Sequence, residues 1–323
     1  LMGAQPDRQQ QRREDQAAAD PQEARQHPSQ DSERQQRQQV PGHGAWRSDS
    51  SLQPGCSGSA ASFAGRASLA RCLLPLLPPL PLTWRWIPPL IADGVTQMAL
   101  DRWMLQRLVA GAGPMLRLYR WSRPTLSLGL HQQTLPPHWL TLAEAGVLNL
   151  VRRPSGGRAV LHAGDLTYAL VCRPGTSQRT LAYEQACRWL VEAFAELGEP
   201  LQFGQAAPAQ AHQRRSCFAS ATAADLVDAR GAKRIGSAQL WRGAALLQHG
   251  SVLLAPDRPL WCRVFGEPPP ELNSLAATPE QLEQTLRAAA GLHLCAGAAV
   301  NQPLTPEEWQ EVETLKAQVR AAA

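Results

Sequence analysis

The sequence contains very little lysine. Of its 323 residues only Lys233 and Lys316 are lysines, and arginine supplies nearly all the other basic side chains. The formal net charge of +5 is spread along the chain, and no basic run is interleaved with aromatic residues. We therefore expect no nucleic-acid-binding surface. Because lysine can lose its proton in a protein and arginine cannot, each of the two lysines is a candidate for chemistry.

The cysteines form no pattern that is typical of a metal site or a disulfide framework. There are seven, an odd number, and no two stand in CxxC spacing. This spacing argues against zinc and against paired disulfides. We therefore expect free thiols, no metal, no cofactor and a reducing, cytoplasmic location.

No hydrophobic run is long enough to cross a membrane. The most apolar early segment, 69–82, contains one arginine and four prolines, so we expect no membrane contact. Residues 1–82 as a whole are rich in Gln, Arg, Ser, Ala and Pro. Such a segment buries too little apolar surface to offset its ordering entropy, which predicts a disordered extension. A transit peptide and a start codon farther downstream remain open for this segment.

From about residue 84 the hydrophobic pattern changes to that of a folded domain. We predict one folded domain over 83–300 and a C-terminal helix over 301–323. Apolar spacing predicts helices over 93–110, 140–145, 180–197, 279–289 and 306–319. It predicts strands over 115–121, 124–130, 148–152, 159–161, 166–171, 225–227, 234–239 and 245–254. Thr278 and Thr305 are expected as N-caps, and Glu308 completes a capping box. Mixed strands with flanking helices indicate an α+β (mixed α/β) fold.

Three segments carry residues suited to chemistry. The first, 152–162, reads RRPSGGRAVLH, in which a double glycine after a strand lets backbone approach a ligand closely. Its arginines are able to hold an anion, although an isolated SGG is more often a tight turn. The second contains Cys217 after Arg214 and Arg215, a cationic setting that favours thiolate over thiol. The third, 246–254, reads LLQHGSVLL, and by itself predicts a strand with a structural histidine.

Taken together and in order, these segments resemble the lipoate–protein ligase A-like family, and in particular its octanoyltransferase branch. The resemblance rests on RRPSGGRAVLH, SCF, DLV, KRIGSAQ and LLQHGSVLL. The upstream MALD, YRW and PTLSLG fit the same family. The similar region covers roughly Trp84 to Asp257.

The resemblance implies the fold of biotin and lipoyl ligase catalytic domains, a mixed sheet flanked by helices. It implies acyl transfer from octanoyl-acyl carrier protein to the lysine of a lipoyl-domain protein. Cys217 is then the residue that carries the acyl thioester, and Lys233 the cation beside it. The residues implied to bind substrate are Arg153, Ser155, Gly156, Gly157, Arg158, His162, Gly236, Ser237 and His249.

Two further activities remain open within the resemblance. One is ATP-dependent lipoate ligation, and the other is non-catalytic binding of an acyl chain or a lipoyl domain. Arg158 stands where the ligases usually have a third glycine, and an adenylating ligase needs no cysteine nucleophile. The short stretch after Asp257 is also unlike the accessory domain of many ligases. These features favour the transferase, and the intact Cys217 and Lys233 argue against a mere binder.

The sequence departs from the family pattern in a few places. The stretch from Cys217 to Lys233 is one residue longer than expected, and residues 221–224 replace a stretch usually richer in proline and aromatics. Ala163 follows His162 where an acid is common, so the sequence does not predict a His–acid pair there. Apolar residues around Val160 and Leu247 are expected to line a tunnel for the eight-carbon chain.

Overall fold

The computed structural model describes residues 83–205, 216–218, 225–297 and 299–321, which form six helices and eleven strands. The helices are α1 (Gly94–Val109), α2 (Pro137–Glu144), α3 (Arg179–Glu196), α4 (Arg258–Phe265), α5 (Pro279–His293) and α6 (Pro306–Ala321). The strands are β1 (Trp84–Ala92), β2 (Met115–Trp121), β3 (Thr125–Leu128), β4 (Asn149–Arg152), β5 (Val160–His162), β6 (Asp165–Cys172), β7 (Gln202–Phe203), β8 (Asp225–Val227), β9 (Lys233–Arg242), β10 (Ala245–Leu253) and β11 (Ala299–Asn301).

Eight of the strands form one mixed sheet in the order β11-β1-β2-β6-β10-β9-β8-β7. The pairs β11–β1 and β1–β2 are parallel, and the remaining neighbours are antiparallel. β1 contains Pro88 and Pro89, and its register with β2 shifts between Ile87 and Leu90. The shift follows from the two prolines, which have no N–H group to donate to the ladder.

Alternating side chains give the large sheet two buried faces. Leu116 and Leu118 of β2 pack with α3 and α5, whereas Met115 and Tyr119 of the same strand pack with α1 and α6. This period of two is what a strand requires when helices cover both of its faces. α6 begins at the predicted capping box, where Thr305 and Glu308 exchange side-chain-to-backbone hydrogen bonds of 3.3 and 3.0 Å.

A second sheet of three strands, in the order β4-β3-β5, lies with α2 and α4 around its own buried cluster. Trp139 of α2 and Trp261 of α4 are almost fully buried there. Phe218 packs edge-on against Trp261 with ring centroids 6.0 Å apart. Through Phe218, this cluster packs against the segment that carries Cys217.

The predicted α+β (mixed α/β) fold is confirmed, and every helix and strand predicted from the sequence lies in the structure within a few residues of its expected range. Four elements, β1, β7, α4 and β11, had not been predicted. The division at residues 300 and 301 stays a prediction; Ala299–Asn301 pairs with β1, and α6 packs on α1. The predicted disorder of 1–82 lies outside the described residues. Among the helices of the described part, none is both long and apolar enough to span a bilayer.

Candidate active site

Cys217 is held beside the double-glycine loop by its backbone. Its N–H donates to the carbonyl oxygen of Ala159 at 3.0 Å, and Ser216 forms a parallel bridge with the same residue. The Ser216 hydroxyl accepts from the N–H of Phe218 at 3.1 Å, which tightens the turn. The half-buried Cys217 therefore lies next to the segment 156–158, although the sequence places almost sixty residues between them.

Lys233 directs its ammonium group at the same cysteine. Nζ lies 3.3 Å from Cys217 Sγ and 2.8 Å from the Cys217 carbonyl oxygen. A third contact, 2.8 Å to Asp225 Oδ1, is an ion pair between two buried side chains. The Phe218 ring lies 5.0 Å from Nζ, which adds a cation–π contact. Cys217 and Lys233, which the resemblance assigns to catalysis, are thus in direct contact. Asp225, which had not been predicted as a site residue, pairs with Lys233.

Gly236 makes this geometry possible. A Cβ atom at position 236 would meet the Lys233 side chain, which folds back over the glycine to reach Cys217. Residue 236 lies opposite Asp225 in the β8–β9 ladder, so glycine, acid and lysine occupy one corner of the sheet. Gly236 therefore leaves the space that the Lys233 side chain occupies, and it also lines the cavity described below.

The double-glycine loop is built around Arg153. Its buried guanidinium donates to the carbonyl oxygens of Ser127, Gly156 and Arg158 at 2.7 to 2.9 Å. Gly157 has φ +97°, and a Cβ there would lie 2.9 Å from Arg153 Nη2. Burial lowers the pKa of Arg153, and the nearby Cys217 opposes this shift. In the structure, the N–H groups of Arg153 bond to the loop and fix its shape. Binding of a substrate anion by Arg153 stays a prediction.

His162 forms the His–acid pair that the sequence had argued against. The Nδ1 atom lies 2.7 Å from Asp165 Oδ2, and Nε2 lies 2.8 Å from the Ser127 hydroxyl. The expectation from Ala163 was wrong because Asp165, three residues on, returns to the ring across the turn between β5 and β6. Trp121 stacks on the other face with ring centroids 3.9 Å apart. The ring is therefore fixed in position by contacts on two nitrogen atoms and one face.

His249 of β10, in the large sheet, is held in a similar way. Its Nδ1 atom lies 2.7 Å from Asp101 Oδ2, and its Nε2 atom lies 2.5 Å from the Ser155 hydroxyl. An ionised carboxylate only accepts, so Nδ1 donates to Asp101, while Nε2 pairs with the Ser155 hydroxyl. This pairing ties the double-glycine loop to α1. Sequence reasoning gave Asp101 no role, although it stands in the MALD motif that supported the resemblance.

Asp101 is fully buried and remains charged because of its partners. Burial by itself would raise its pKa, but Arg117 and His249 outweigh that effect and hold the pKa below the ordinary value. Arg117 Nη2 lies 2.5 Å from Asp101 Oδ1, and the Tyr119 hydroxyl donates to Oδ2 at 3.2 Å. Burial and the charge of Asp101 raise the pKa of Tyr119 well above its usual range.

One cavity brings these groups together. Eight of the predicted site residues line it: Arg153, Gly156, Gly157, His162, Cys217, Gly236, Ser237 and His249. Met98, Tyr119, Trp121 and Val160 contribute apolar surface. Polar groups on the wall bond to residues behind it, since Ser251 Oγ donates to Asp165 at 2.7 Å and Ser237 Oγ bonds to the Tyr168 hydroxyl at 2.7 Å. A wall whose polar groups already have partners suits an apolar chain.

The remaining predicted residues lie at other positions. Ser155 and Arg158 belong to the loop around the cavity, and Lys233 lies behind Cys217. Val160 lines the cavity as expected, but Leu247 does not, because it is buried in the core against α1. The altered stretch at 221–224 and the arginines before Ser216 lie outside the described residues. Within the ranges that the structure covers, no three His, Cys, Asp or Glu side chains gather to hold a metal ion.

Comparisons with solved structures show how widely this architecture is shared. A putative lipoate protein ligase from T. acidophilum with bound lipoic acid is 18% identical, with a TM-score of 0.60 over 73% of this chain and 96% of that one. A lipoate-protein ligase A bound with ATP gives the same TM-score and identity over 73% and 95% of the two chains. At this identity the likeness concerns the fold alone.

Sequence comparisons identify nearer relatives. The Octanoyltransferase LipM of Carboxydothermus hydrogenoformans is 35% identical over 223 residues, which are 67% of this chain and 77% of that protein. The protein of the same name from Kyrpidia tusciae is 32% identical over 270 residues, 74% and 97% of the two chains. The model of the lipoyl protein ligase A/B catalytic domain matches residues 93–282. The chain therefore belongs to the lipoyl protein ligase A/B catalytic domain family, among its octanoyltransferase members.

Proposed function

We propose that this chain is a protein octanoyltransferase of lipoate biosynthesis that works through a thioester on Cys217. Kinship with octanoyltransferases over most of the chain supports the reaction class. The observation that carries the mechanism is the contact of 3.3 Å between Lys233 Nζ and Cys217 Sγ at the wall of the cavity. A cation in contact with sulfur favours the thiolate, which is the nucleophilic form.

The first half-reaction moves the acyl group to the enzyme. The Cys217 thiolate attacks the carbonyl carbon of the octanoyl thioester, and a new S–C bond forms as the donor's C–S bond breaks. The donor leaves as a thiolate, which takes up a proton to become the thiol. We assign octanoyl-acyl carrier protein as the donor, because exchange of one thioester for another has little energetic cost. The positive charge of Lys233 stabilises the charge that develops on the carbonyl oxygen.

The second half-reaction delivers the acyl group. The lysine amine of a lipoyl-domain protein attacks the Cys217 thioester, an amide bond forms, and Cys217 leaves as the thiolate. Starting from its ammonium form, the acceptor lysine loses two protons in all: one balances the proton that the donor thiolate took up, and the other is released to solvent. The net products are the octanoylated lysine, the donor thiol and one proton. ATP has no part in this sequence.

The remaining predicted residues position the substrate in this proposal. Gly156, Gly157, Gly236 and Ser237 bring backbone and small side chains close to the acyl chain. Arg153 shapes the loop, while His162 and His249 form fixed parts of the wall. Ser155 anchors the loop to His249, and we assign Arg158 to the rim. A reducing cytoplasm suits the mechanism, because it keeps the Cys217 thiol available.

The test is the mass of the enzyme after mixing with octanoyl-acyl carrier protein in the absence of ATP. Wild type should gain one octanoyl group, located on Cys217 by peptide mapping, and should pass it to a lipoyl domain. Cys217→Ala should do neither, while Cys262→Ala, which changes an exposed cysteine on α4, should behave as wild type. Full activity in Cys217→Ala would rule out the thioester mechanism, and transfer that required ATP would point to a ligase.

A further inference from the structure

We propose that Asp225 is a positioning residue for acyl transfer, which holds the Lys233 ammonium against Cys217 in both the thiolate and the thioester state. That Asp225 serves acyl transfer rests on the proposed function, whereas its hold on Lys233 rests on the geometry of the ion pair. Asp225 Oδ1 lies 2.8 Å from Lys233 Nζ, and both side chains are almost fully buried. Asp225 stands in the DLV motif that supported the resemblance, but the sequence assigned it no role.

The three contacts of the Lys233 ammonium match its three N–H donors. They are the Asp225 carboxylate, the Cys217 carbonyl oxygen and the Cys217 sulfur. An ammonium group presents its donors in tetrahedral directions. Two fixed oxygen acceptors therefore direct the third N–H towards sulfur. Loss of the carboxylate would leave the direction of that N–H less constrained.

Charge balance explains why an acid is needed at this position. A buried ammonium without a partner is costly, because the interior solvates charge poorly. The Cys217 thiolate balances the lysine only until it is acylated, since a thioester carries no charge. Acylation of Cys217 leaves the Asp225 carboxylate in place, so the lysine keeps this partner throughout the cycle. Lys233 then serves as the cation beside the reacting carbonyl in both half-reactions.

Asp228 offers a matched control three residues farther along the chain. It is also buried, but its carboxylate caps the turn between β8 and β9. Its Oδ1 atom accepts from the N–H groups of Arg230 and Ala232 at 2.9 and 2.8 Å. Substitution of Asp228 therefore perturbs the fold near the site without removing the counter-ion of Lys233.

The experiment compares wild type, Asp225→Asn, Asp225→Glu and Asp228→Asn as full-length chains. The first readout is the rate at which iodoacetamide alkylates Cys217 at pH 7, followed by peptide mass spectrometry. The second is the single-turnover rate of Cys217 acylation by octanoyl-acyl carrier protein, and the third is the unfolding midpoint by circular dichroism. We expect both Cys217 rates to fall about 10- to 100-fold in Asp225→Asn, which is less than the roughly 100- to 1,000-fold for loss of an oxyanion donor itself, because Asp225 acts through Lys233. Asp225→Glu should recover part of the loss.

Asp228→Asn should lower the unfolding midpoint while both Cys217 rates stay within about threefold of wild type, as expected for a residue that only caps a turn. Unchanged or faster Cys217 alkylation in Asp225→Asn would overturn the inference, as would an Asp225→Glu variant no faster than Asp225→Asn. If the single Asn variant does not fold, Lys233→Met and Lys233→Met/Asp225→Asn decide the question, because the double variant buries no unpaired charge. Equal alkylation rates in that pair support action through Lys233, and a slower double variant contradicts it.

The two proposals fail in different ways. If wild type forms no octanoyl thioester but its Cys217 alkylation still depends on Asp225, the proposed function is wrong and the positioning role stands. If wild type is acylated and Asp225→Asn is acylated equally fast, the positioning role alone is wrong.

Discussion

A Cβ atom built on Gly236 would lie 2.7 Å from Cε and 3.0 Å from Nζ of Lys233. Gly236→Ala should therefore push the ammonium away from Cys217 and slow octanoyl transfer by about 10- to 100-fold, which is less than the roughly 100- to 1,000-fold for removal of an oxyanion donor, because the cation is displaced and not removed. Gly175→Ala is the control, because nothing lies within 4 Å of the added Cβ. Single-turnover acylation of both variants measures the difference. Equal rates in the two variants would mean that Lys233 does not act from its observed position.

The described cysteines should differ sharply in reactivity. Burial raises the pKa of Cys172 and of Cys187 to about 12, so neither forms much thiolate at pH 7. Cys217 lies against Lys233, while Cys262 is exposed on α4 with no such contact described. Iodoacetamide at pH 7 should label Cys217 first, then Cys262, and leave Cys172 and Cys187 unmodified. Peptide mass spectrometry over time gives the order, and faster labelling of Cys262 would count against an activated Cys217.

Asp101 should make stability depend on pH. Its folded pKa is below the ordinary value, so the stability it contributes is complete above about pH 4 and is lost as the pH falls through the folded pKa. Asp101→Asn removes one partner of a buried ion pair and should cost about 3–5 kcal/mol in the free energy of unfolding at pH 7. Urea unfolding at pH 7 and pH 3 should show the gap between variant and wild type narrowing in acid. A gap independent of pH would contradict this assignment.

Arg153 should not tolerate replacement by lysine. A single ammonium cannot span the carbonyl oxygens of Ser127, Gly156 and Arg158 as the planar guanidinium does. Arg153→Lys should leave a buried carbonyl unpaired, at a cost of about 1–3 kcal/mol in stability, and should raise KM for the octanoyl donor. Arg263→Lys, an exposed change on α4, is the control. Urea unfolding and steady-state kinetics of the pair test both effects.

The sequence predicted best where a local pattern sufficed. The helix at 93–110 begins at Asp93, whose side chain caps α1, and it packs the expected apolar face. β1 was missed because Pro88 and Pro89 interrupt a segment that would otherwise be typical of a strand. α4 was missed although its signals were present: Asp257 as cap and Gly266 in the left-handed region at the end.

In the site, the sequence indicated which residues meet but not what holds them. Cys217 and Lys233 were paired through the family resemblance, since no local pattern joins them. The pairing of Asp101 with His249 spans 148 positions and depends on how α1 crosses β10. Asp225 could be recognised as a partner of Lys233 only once the β8–β9 register was known. These relationships arise from tertiary packing, on which periodicity gives no information.

The parallel pairing of β1 with β11 has a consequence for how the chain folds. β1 begins at Trp84, and its partner in the ladder is Ala299, more than 200 residues later. During synthesis the outer edge of β1 must wait until nearly the whole domain has left the ribosome. Arg85 of β1 also forms an ion pair with Glu308 of α6. Both contacts of β1, with β11 and with α6, therefore involve residues that are synthesised late. Because such distant contacts close slowly, we expect completion of this edge to be among the last steps of folding and a point where a nascent chain needs protection from aggregation.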